Sequence, residues 1–468
     1  MFVRRTTGLA VAIVAAQVGL IGPGTVAAQA SERQIGTSAG DHPKQLVIVF
    51  GGDLGLGGSR QPVSPRGGYR HNRLIPWTDL TRGLAPLIDG DVNFANLETV
   101  VTDSNRLRPA NKAFNFKMHP NGLRHLVKLG FNALSTANNH AIDYGQTGMR
   151  HTLRHVARLW PVGLKAAPGI GYGRAGAVRS NVLKAKGYAV AIAALGIGGA
   201  GARSDKSIGQ MSYRSKADFS DTVEALTNTE ADLRVLSVHY GQELQVRPSA
   251  FAVARLRDTA ARDGNVDIVI GHHAHVAAGV QSIDGRLIFY GMGNLLHLGM
   301  QDMAKFGPCR DFGLLAKVHV TRASAADRPR AHAIEVIALT KMHDGAQPMQ
   351  PAAGARRIAV LNSLAVGLDD RAAGARGVRF ISRRDGSGLY CMPGAEELPG
   401  KIGAICKDWR AQQKASTSQR NRKITCGYRR KQTVRRTVTR ARRSKKYRSR
   451  SRSNSDFARS FFRTAHGG

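Results

Sequence analysis

The chain reads QLVIVFGGD from Gln45 to Asp53, an apolar run that ends in two glycines and a carboxylate. Such a run is typical of a buried strand, and glycines let a ligand approach the backbone closely. Five more polar clusters follow hydrophobic runs: Asn96-Leu97-Glu98, Asn138-Asn139-His140 with Asp143, His239-Tyr240-Gly241-Gln242-Glu243, Gly271-His272-His273-Ala274-His275 and Gly291-Met292-Gly293-Asn294. Carboxylates, amides and imidazoles bind divalent metals. The pattern predicts a metal centre built from several strand ends.

Strand-like and helix-like segments alternate along most of the chain. Apolar runs predict strands at 45–50, 91–98, 131–136, 188–195, 233–238, 266–270, 286–290, 312–320 and 333–339. Amphipathic spacing predicts helices at 77–88, 122–129, 145–159, 219–227 and 250–262. The alternation indicates an α/β fold with two packed sheets that share one edge. Residues 345–357 show only a weak pattern, and 358–410 are expected to form a small appended unit.

Basic residues are in large excess. The 468 residues include 69 Lys and Arg against 32 Asp and Glu, a formal net charge of +37. From Lys407 onward there are 21 basic and two acidic residues, a balance of +19, so +18 remains for the first 406. Residues 411–468 are rich in Arg, Lys, Ser and Thr and are predicted to be a disordered basic tail. This tail either binds a polyanion or is solvated without a dedicated partner.

The N-terminus has the pattern of an export signal. Arg4 and Arg5 precede an apolar stretch, and Ala28-Gln29-Ala30 is a small-residue cleavage site. We therefore expect residues 1–30 to be a signal peptide and the protein to be periplasmic or on the cell surface. The alternative is an uncleaved anchor. Export argues against a nucleic-acid partner, and no transmembrane segment is expected after signal removal.

Four cysteines lie late in the chain, at Cys309, Cys391, Cys406 and Cys426. Export permits disulfides. A bond between Cys391 and Cys406 would close a short loop, but four cysteines allow three complete pairings and the sequence does not select one.

The clusters contain suitable metal ligands and a candidate catalytic pair. Two divalent ions about 3.5–4 Å apart could be held by a set that Glu98 bridges: Asp53, Glu98, Asn139, His239, His273 and His275. If residues 273–275 are extended, both of their imidazoles lie on one face. His140 and Asp143, three residues apart, can meet and form an oriented acid or charge-stabilising group. Asn96 and Asn294 either support the site or cap turns, and Glu243 is either a site or a surface acid.

Asn139-His140-Ala141-Ile142-Asp143, with Gly52-Asp53 upstream and Gly271-His272-His273-Ala274-His275-Val276 downstream, resembles the CapA family of poly-γ-glutamate and capsule synthesis proteins. The similarity covers roughly residues 45–345. It implies a four-layer α/β/β/α sandwich of the calcineurin-like metallophosphoesterase type. It also implies that the six ligands bind Mn, Fe or Zn and that His140 and Asp143 are catalytic. The chain departs from the phosphoesterase pattern at Gly55, where a histidine ligand is common, and at Glu98, where an Asp is usual.

Two functions follow as expectations. The first is an exported metal-dependent hydrolase or transferase that acts on a phosphate-containing substrate or an anionic envelope polymer. The second is a non-catalytic, polyanion-binding accessory protein for polymer export, which the missing ligand at Gly55 and the basic tail favour.

Overall fold

A computed structural model describes residues 44–407 except 60, 199–205, 262–265, 323, 325 and 326, together with Trp409 and Cys426. The expected signal peptide at 1–30 lies outside the described residues, as does the expected basic tail at 411–468 apart from Cys426. The strands are β1 (Leu46–Gly55), β2 (Gly67–Arg70), β3 (Arg73–Pro76), β4 (Val92–Leu97), β5 (Val100–Val101), β6 (Lys117–Met118), β7 (Ala133–Ser135), β8 (Gly171–Tyr172), β9 (Asn181–Ala185), β10 (Tyr188–Leu195), β11 (Ile208–Gly209), β12 (Leu233–His239), β13 (Ile268–His272), β14 (Val280–Ile283), β15 (Arg286–Phe289), β16 (Asn294–His297), β17 (Gly313–Thr321), β18 (Arg330–Thr340), β19 (Gln347–Pro348), β20 (Ala375–Gly377), β21 (Ile381–Ser382) and β22 (Gly388–Cys391). The helices are α1 (Trp77–Thr81), α2 (Pro120–Leu129), α3 (Gly145–Ala157), α4 (Gly173–Val178), α5 (Lys216–Thr227), α6 (Ala250–Ala261), α7 (Pro351–Ala365) and α8 (Gly400–Cys406).

Two large sheets form the centre of the molecule. The first has the order β21-β22-β18-β17-β1-β4-β7, with β16 paired to β1 and β19 paired to β18. The second has the order β20-β14-β15-β13-β12-β10-β9. Strands β1, β4 and β7 run parallel, as do β10, β12, β13 and β15. The predicted α/β class is therefore confirmed, and each sheet has a parallel centre whose strand ends can build a site.

One hydrophobic core joins the two sheets. Ile48 and Phe50 of β1 lie in the same buried cluster as Ile192 of β10 and Phe289 of β15. The rings of Phe50 and Phe289 have centroids 6.2 Å apart. Each fully buried side chain of this size stabilises the fold by about 1.5–3 kcal/mol. Facing sheets are thus held together directly, which fixes the position of one set of strand ends against the other.

Helices cover the outer face of the second sheet. Alternate residues of β10 and β12, such as Ala191 and Leu236, point away from the shared core and pack against α5 and α6. Because side chains alternate between the two faces of a strand, an all-apolar strand such as β10 must be covered on both sides. This packing accounts for three layers, and the fourth layer of the expected sandwich stays a prediction.

The segment expected to form a small appended unit at 358–410 contributes strands to both large sheets. Strands β21 and β22 extend the first sheet beyond β18, and β20 adds an edge to the second sheet. Helix α7 contacts β18 and β14, so it touches both sheets. The sequence pattern is weak over the Ala-rich start of α7, where Pro351 occupies the first turn and its missing N–H costs nothing.

Two disulfides link the later elements. One joins Cys391, the end of β22, to Cys406, the end of α8, as the short-loop expectation proposed. The other joins Cys309 to Cys426, which are 117 residues apart. Among the described residues, none of the helices is both long and apolar enough to cross a bilayer.

Candidate metal centre

Asp53 lies inside β1 rather than beyond its end. The pairing of β1 with β4 shifts register between Phe50 and Asp53, and the Asp53 N–H donates to Gly293 O at 2.9 Å. A Cβ on Gly52 would lie 1.9 Å from that same oxygen, so only glycine permits this close approach of β1 to the residues before β16. The bulge brings the Asp53 carboxylate, which is fully buried, to the shared edge of the sheets.

Glu98 is the centre of the site. It follows β4 and is fully buried, and neither of its oxygens has a hydrogen-bond partner within the part of the chain that the structure describes. One group of ligand atoms within 4.8 Å of one another comes from Glu98, His239 and His273, and a second comes from Asp53, Glu98 and His275. A buried carboxylate without donors is costly unless a cation balances it. The donor set therefore fits two divalent cations that share Glu98.

The first ligand group places neutral nitrogens and an amide oxygen together. His239 Nε2 lies 3.3 Å from Glu98 Oε1, 2.7 Å from Asn139 Oδ1 and 3.2 Å from His273 Nδ1. Burial lowers the pKa of His239 well below its ordinary value and that of His273 to about 3. Both rings are thus uncharged at neutral pH, the form in which imidazole binds metals.

The second ligand group is centred on His275. Its Nδ1 lies 3.2 Å from Asp53 Oδ2, 3.9 Å from Glu98 Oε2 and 2.9 Å from Asn294 Oδ1. Burial alone would lower the pKa of this imidazole, but the carboxylates of Glu98 and Asp53 raise it to about 10. Burial likewise would raise the pKa of Asp53, but contacts from His272 and His275 hold it well below its usual value.

The extended conformation that would place His273 and His275 on one face does not form. The segment after β13 is not extended, because His273 has φ 87° and His275 has φ 56°. Left-handed conformations are strained for residues other than glycine and concentrate at functional sites. The turn sends His273 to the group with His239 and sends His275 to the group with Asp53.

His140 and Asp143 form the expected pair beside the candidate metal ligands. His140 Nδ1 lies 2.8 Å from Asp143 Oδ2, and His140 Nε2 lies 4.0 Å from Glu98 Oε1. Asp143 also accepts the backbone N–H of Phe116 and lies 2.5 Å from Lys112 Nζ. The Phe116 ring packs on His140 with centroids 4.3 Å apart. Asp143 and Phe116 together fix the imidazole so that Nε2 faces the site.

Two asparagines orient ligands rather than cap turns. Asn96 Nδ2 donates to Asp53 Oδ1 at 2.8 Å and lies 3.2 Å from His239 Nδ1. Asn294 Oδ1 contacts the imidazole of His275, as described above. Such partners of metal ligands set ring orientation and ligand basicity.

Glu243 is half-buried and lines a cleft of about 90 Å³ with His140 and His275. Burial raises the pKa of its carboxyl. It is therefore a residue of the site entrance and not a free surface acid. With it, all the predicted site residues lie in one region of the molecule.

Four residues of this region were given no role from the sequence: Asn138 and His272, which lie within the polar clusters, and Lys112 and His297, which lie outside them. Asn138 donates to Leu97 O at 2.9 Å, and His272 Nδ1 lies 3.3 Å from Asp53 Oδ1. His297 follows the apolar pair Leu295-Leu296, which is the same pattern that marked the other clusters and could have revealed it. Lys112 lies in a polar loop with no distinguishing pattern.

A second set of ligand types lies apart from this centre. Asp103, His151 and His155 have ligand atoms within 4.8 Å of one another. The Asp103 side chain is 56% exposed. The positive charges of Arg154 and Arg158 lower the pKa of His155, after the larger effect of burial. These charges would also repel a bound cation, so this group is the poorer candidate.

Comparison with known proteins places the chain. The sequence model of the family described as Bacterial capsule synthesis protein PGA_cap matches residues 47–297. The chain belongs to this family. The matched range contains every predicted site residue of the PGA_cap chain, and the resemblance to CapA proteins is confirmed.

Individual relatives agree with the family. The chain is 30% identical over 204 residues to the PGA biosynthesis protein CapA of Bacillus subtilis, which covers 43% of this chain and 52% of the relative. It is 26% identical over 265 residues to the capsule biosynthesis protein CapA of Bacillus anthracis, which covers 54% of this chain and 60% of the relative. The matches thus span only about half to three fifths of these relatives.

Among solved structures, the calcineurin-like phosphoesterase YfkN from Bacillus subtilis is 10% identical, with 81% of this chain and 100% of that chain covered and a TM-score of 0.31. The α/β assignment therefore depends on the two sheets described above and not on this structure.

Proposed function

We propose that this PGA_cap protein is an exported, metal-dependent hydrolase or transferase of capsule or poly-γ-glutamate metabolism. The observation that carries the proposal is Glu98, a fully buried carboxylate whose oxygens lack hydrogen-bond partners among the described residues and which belongs to two ligand groups at once. A structural carboxylate would be paired with donors. A carboxylate left open between imidazoles is suited to bridge two cations.

The ligand chemistry favours Mn, Fe or Zn. Asp53 and Glu98 offer carboxylate oxygens, Asn139 an amide oxygen, and His239, His273 and His275 imidazole nitrogens. Mixed oxygen and nitrogen sets suit these metals better than Ca²⁺ or Mg²⁺, which prefer oxygen alone. Bound ions would supply Lewis-acid polarisation of a phosphoryl or acyl oxygen.

His140 has the geometry of a proton-transfer group. Its Nδ1 is engaged by Asp143, so Nε2 is left to exchange a proton with a substrate oxygen beside Glu98. Lys112 Nζ donates to Asn139 O at 2.8 Å while it pairs with Asp143, so one cation links the proton-transfer pair to a ligand backbone. We infer that Lys112 keeps His140 and Asn139 in register with each other.

A larger cleft next to the ligands suits an extended substrate. Its volume is about 280 Å³, and its walls include Arg214, Tyr240, Gln242 and Phe251. Tyr240 follows the ligand His239 directly, so the cleft begins beside the proposed metal site. Arg214 offers a positive charge and Phe251, 67% exposed, an apolar surface. An anionic envelope polymer would meet both. The two disulfides support export, because such bonds persist in oxidising compartments.

The test uses purified full-length protein. We expect elemental analysis to find up to two Mn, Fe or Zn ions per chain, and we expect hydrolysis of a model phosphodiester or of poly-γ-glutamate. His140→Asn should lower turnover by about 100-fold or more with metal content unchanged. The control is His332→Asn. Its side chain lies on β18 near the start of β1, because Ala331 pairs with Val320 and Val320 pairs with Leu46. The proposal is refuted if the purified protein contains no metal and hydrolyses neither substrate after Mn, Fe or Zn is added.

The accessory function is favoured by the missing ligand at Gly55 and by the balance of +19 from Lys407 onward. In that case His140→Asn would still support polymer production in cells, whereas truncation after Cys426 would not. If the protein is an enzyme, His140→Asn should abolish polymer production in cells.

A further inference from the structure

His297 is a buried histidine whose ring makes no well-formed hydrogen bond to the described residues. It ends β16 and is fully buried, and neither ring nitrogen has a hydrogen-bond partner in the described portion of the chain. Leaving a buried polar group unsatisfied costs about 1–3 kcal/mol. A leucine or phenylalanine would fill the same space without that cost. The imidazole therefore needs an explanation other than packing.

The ring lies above Gly55. Residues 55 and 297 are paired between β1 and β16. A Cβ added to Gly55 would lie 2.9 Å from His297 Nε2, so the imidazole occupies the space that a side chain at position 55 would enter. Gly55 is also the position at which this chain lacks the histidine that is common in the phosphoesterase pattern. The missing side chain and the unexplained imidazole are thus in the same place.

His297 Nε2 approaches one member of the second ligand group, Glu98. It lies 3.8 Å from Glu98 Oε2, and its ring centroid lies 6.0 Å from that of His275. Two ligand atoms bound to one ion at about 2.0–2.2 Å lie roughly 3–4 Å apart. The edge contact with Phe116, 4.8 Å between centroids, holds the ring in this direction.

We infer that His297 is a metal ligand of the group formed by Asp53, Glu98 and His275, supplied by β16 in place of a side chain at position 55. The inference rests on the proposed two-cation site and extends it by one ligand. It also means that Gly55 does not indicate a degenerate centre, because the coordination is completed from another strand.

The test compares His297→Phe with His332→Phe in full-length protein loaded with Co²⁺ or Mn²⁺. His297→Phe keeps ring volume and removes both nitrogens. We expect one of two ions to bind at least about 100-fold more weakly, and the visible Co²⁺ spectrum to change. The metal-free melting temperature should stay equal or rise, because an unsatisfied group is lost. His332→Phe should bind both ions normally.

Each outcome separates the two proposals. Wild-type protein that binds no metal refutes the proposed function itself. Two tightly bound ions in His297→Phe refute only the role of His297. If the variant does not fold, the anomalous scattering of a Mn²⁺-loaded wild-type crystal decides. An ion within about 2.3 Å of His297 Nε2 supports the assignment, and an ion beyond 3 Å overturns it.

Discussion

Replacing Glu335 with glutamine should destabilise the protein in a pH-dependent way. Glu335 lies on β18 and contacts His319 Nε2 at 2.7 Å and Arg383 at 2.5 Å, with its side chain 13% exposed. Burial alone would raise the pKa of Glu335, but these partners lower it to about 2. A free glutamate titrates near 4.3, so the difference corresponds to about 3 kcal/mol of stability at pH 7.

The direction of the pH dependence follows from the lowered pKa of Glu335. The stabilisation by Glu335 is complete at pH values above the pKa of the unfolded chain, near 4.3. It is lost as the pH falls through the folded pKa of about 2, so roughly half of it remains at pH 3. Denaturant unfolding of wild type and Glu335→Gln at both pH values measures it. We expect a loss of about 3 kcal/mol at pH 7 and about 1.5 at pH 3. Exposed Glu230→Gln is the control. An equal loss at both pH values would refute the reasoning.

Three further predictions concern the site and the covalent links. Glu98→Gln should remove both ions, because Glu98 belongs to both ligand groups, and a single tight ion in elemental analysis would contradict the bridging role. Gly52→Ala should cost about 3 kcal/mol or more because its Cβ would meet Gly293 O at 1.9 Å, and an unchanged thermal midpoint would count against the close approach. Replacing Cys309 and Cys426 with serine should lower the free energy of unfolding by up to about 5 kcal/mol, because the bond closes a loop of 117 residues. A free energy of unfolding within about 1 kcal/mol of wild type, measured by denaturant unfolding, would show that this link adds little.

The central strands were predictable because they are buried on both faces. Their runs are continuously apolar, so β10 was placed at its observed bounds and β12 to within a residue. Helix bounds were less certain. The predicted helix at 77–88 ends at Thr81 and resumes only as a short 3-10 turn at 85–87, since Gly83 intervenes. The contribution of residues 375–391 to both sheets depends on long-range pairing that leaves little local trace.

The site was predictable where ligands follow strands and unpredictable where the backbone turns. Asp53 lies in the last part of β1, Glu98 and Asn139 follow β4 and β7, and their convergence follows from the parallel pairing of these strands. The separation of His273 from His275 depends on two left-handed residues that no hydrophobic period marks. Lys112 reaches Asp143 from a loop, and only the folded chain shows that contact.

The space above Gly55 holds either the imidazole of His297 or a side chain at position 55, but not both. A relative with a bulky residue at that position would have no room for an imidazole at the position of His297, and one with a small residue at both would leave a void. Among relatives, a larger side chain at position 55 should therefore be accompanied by a smaller one at position 297, and the reverse. An alignment of many relatives would then show histidine alternating between the first strand and the sixteenth, but not at both in one chain.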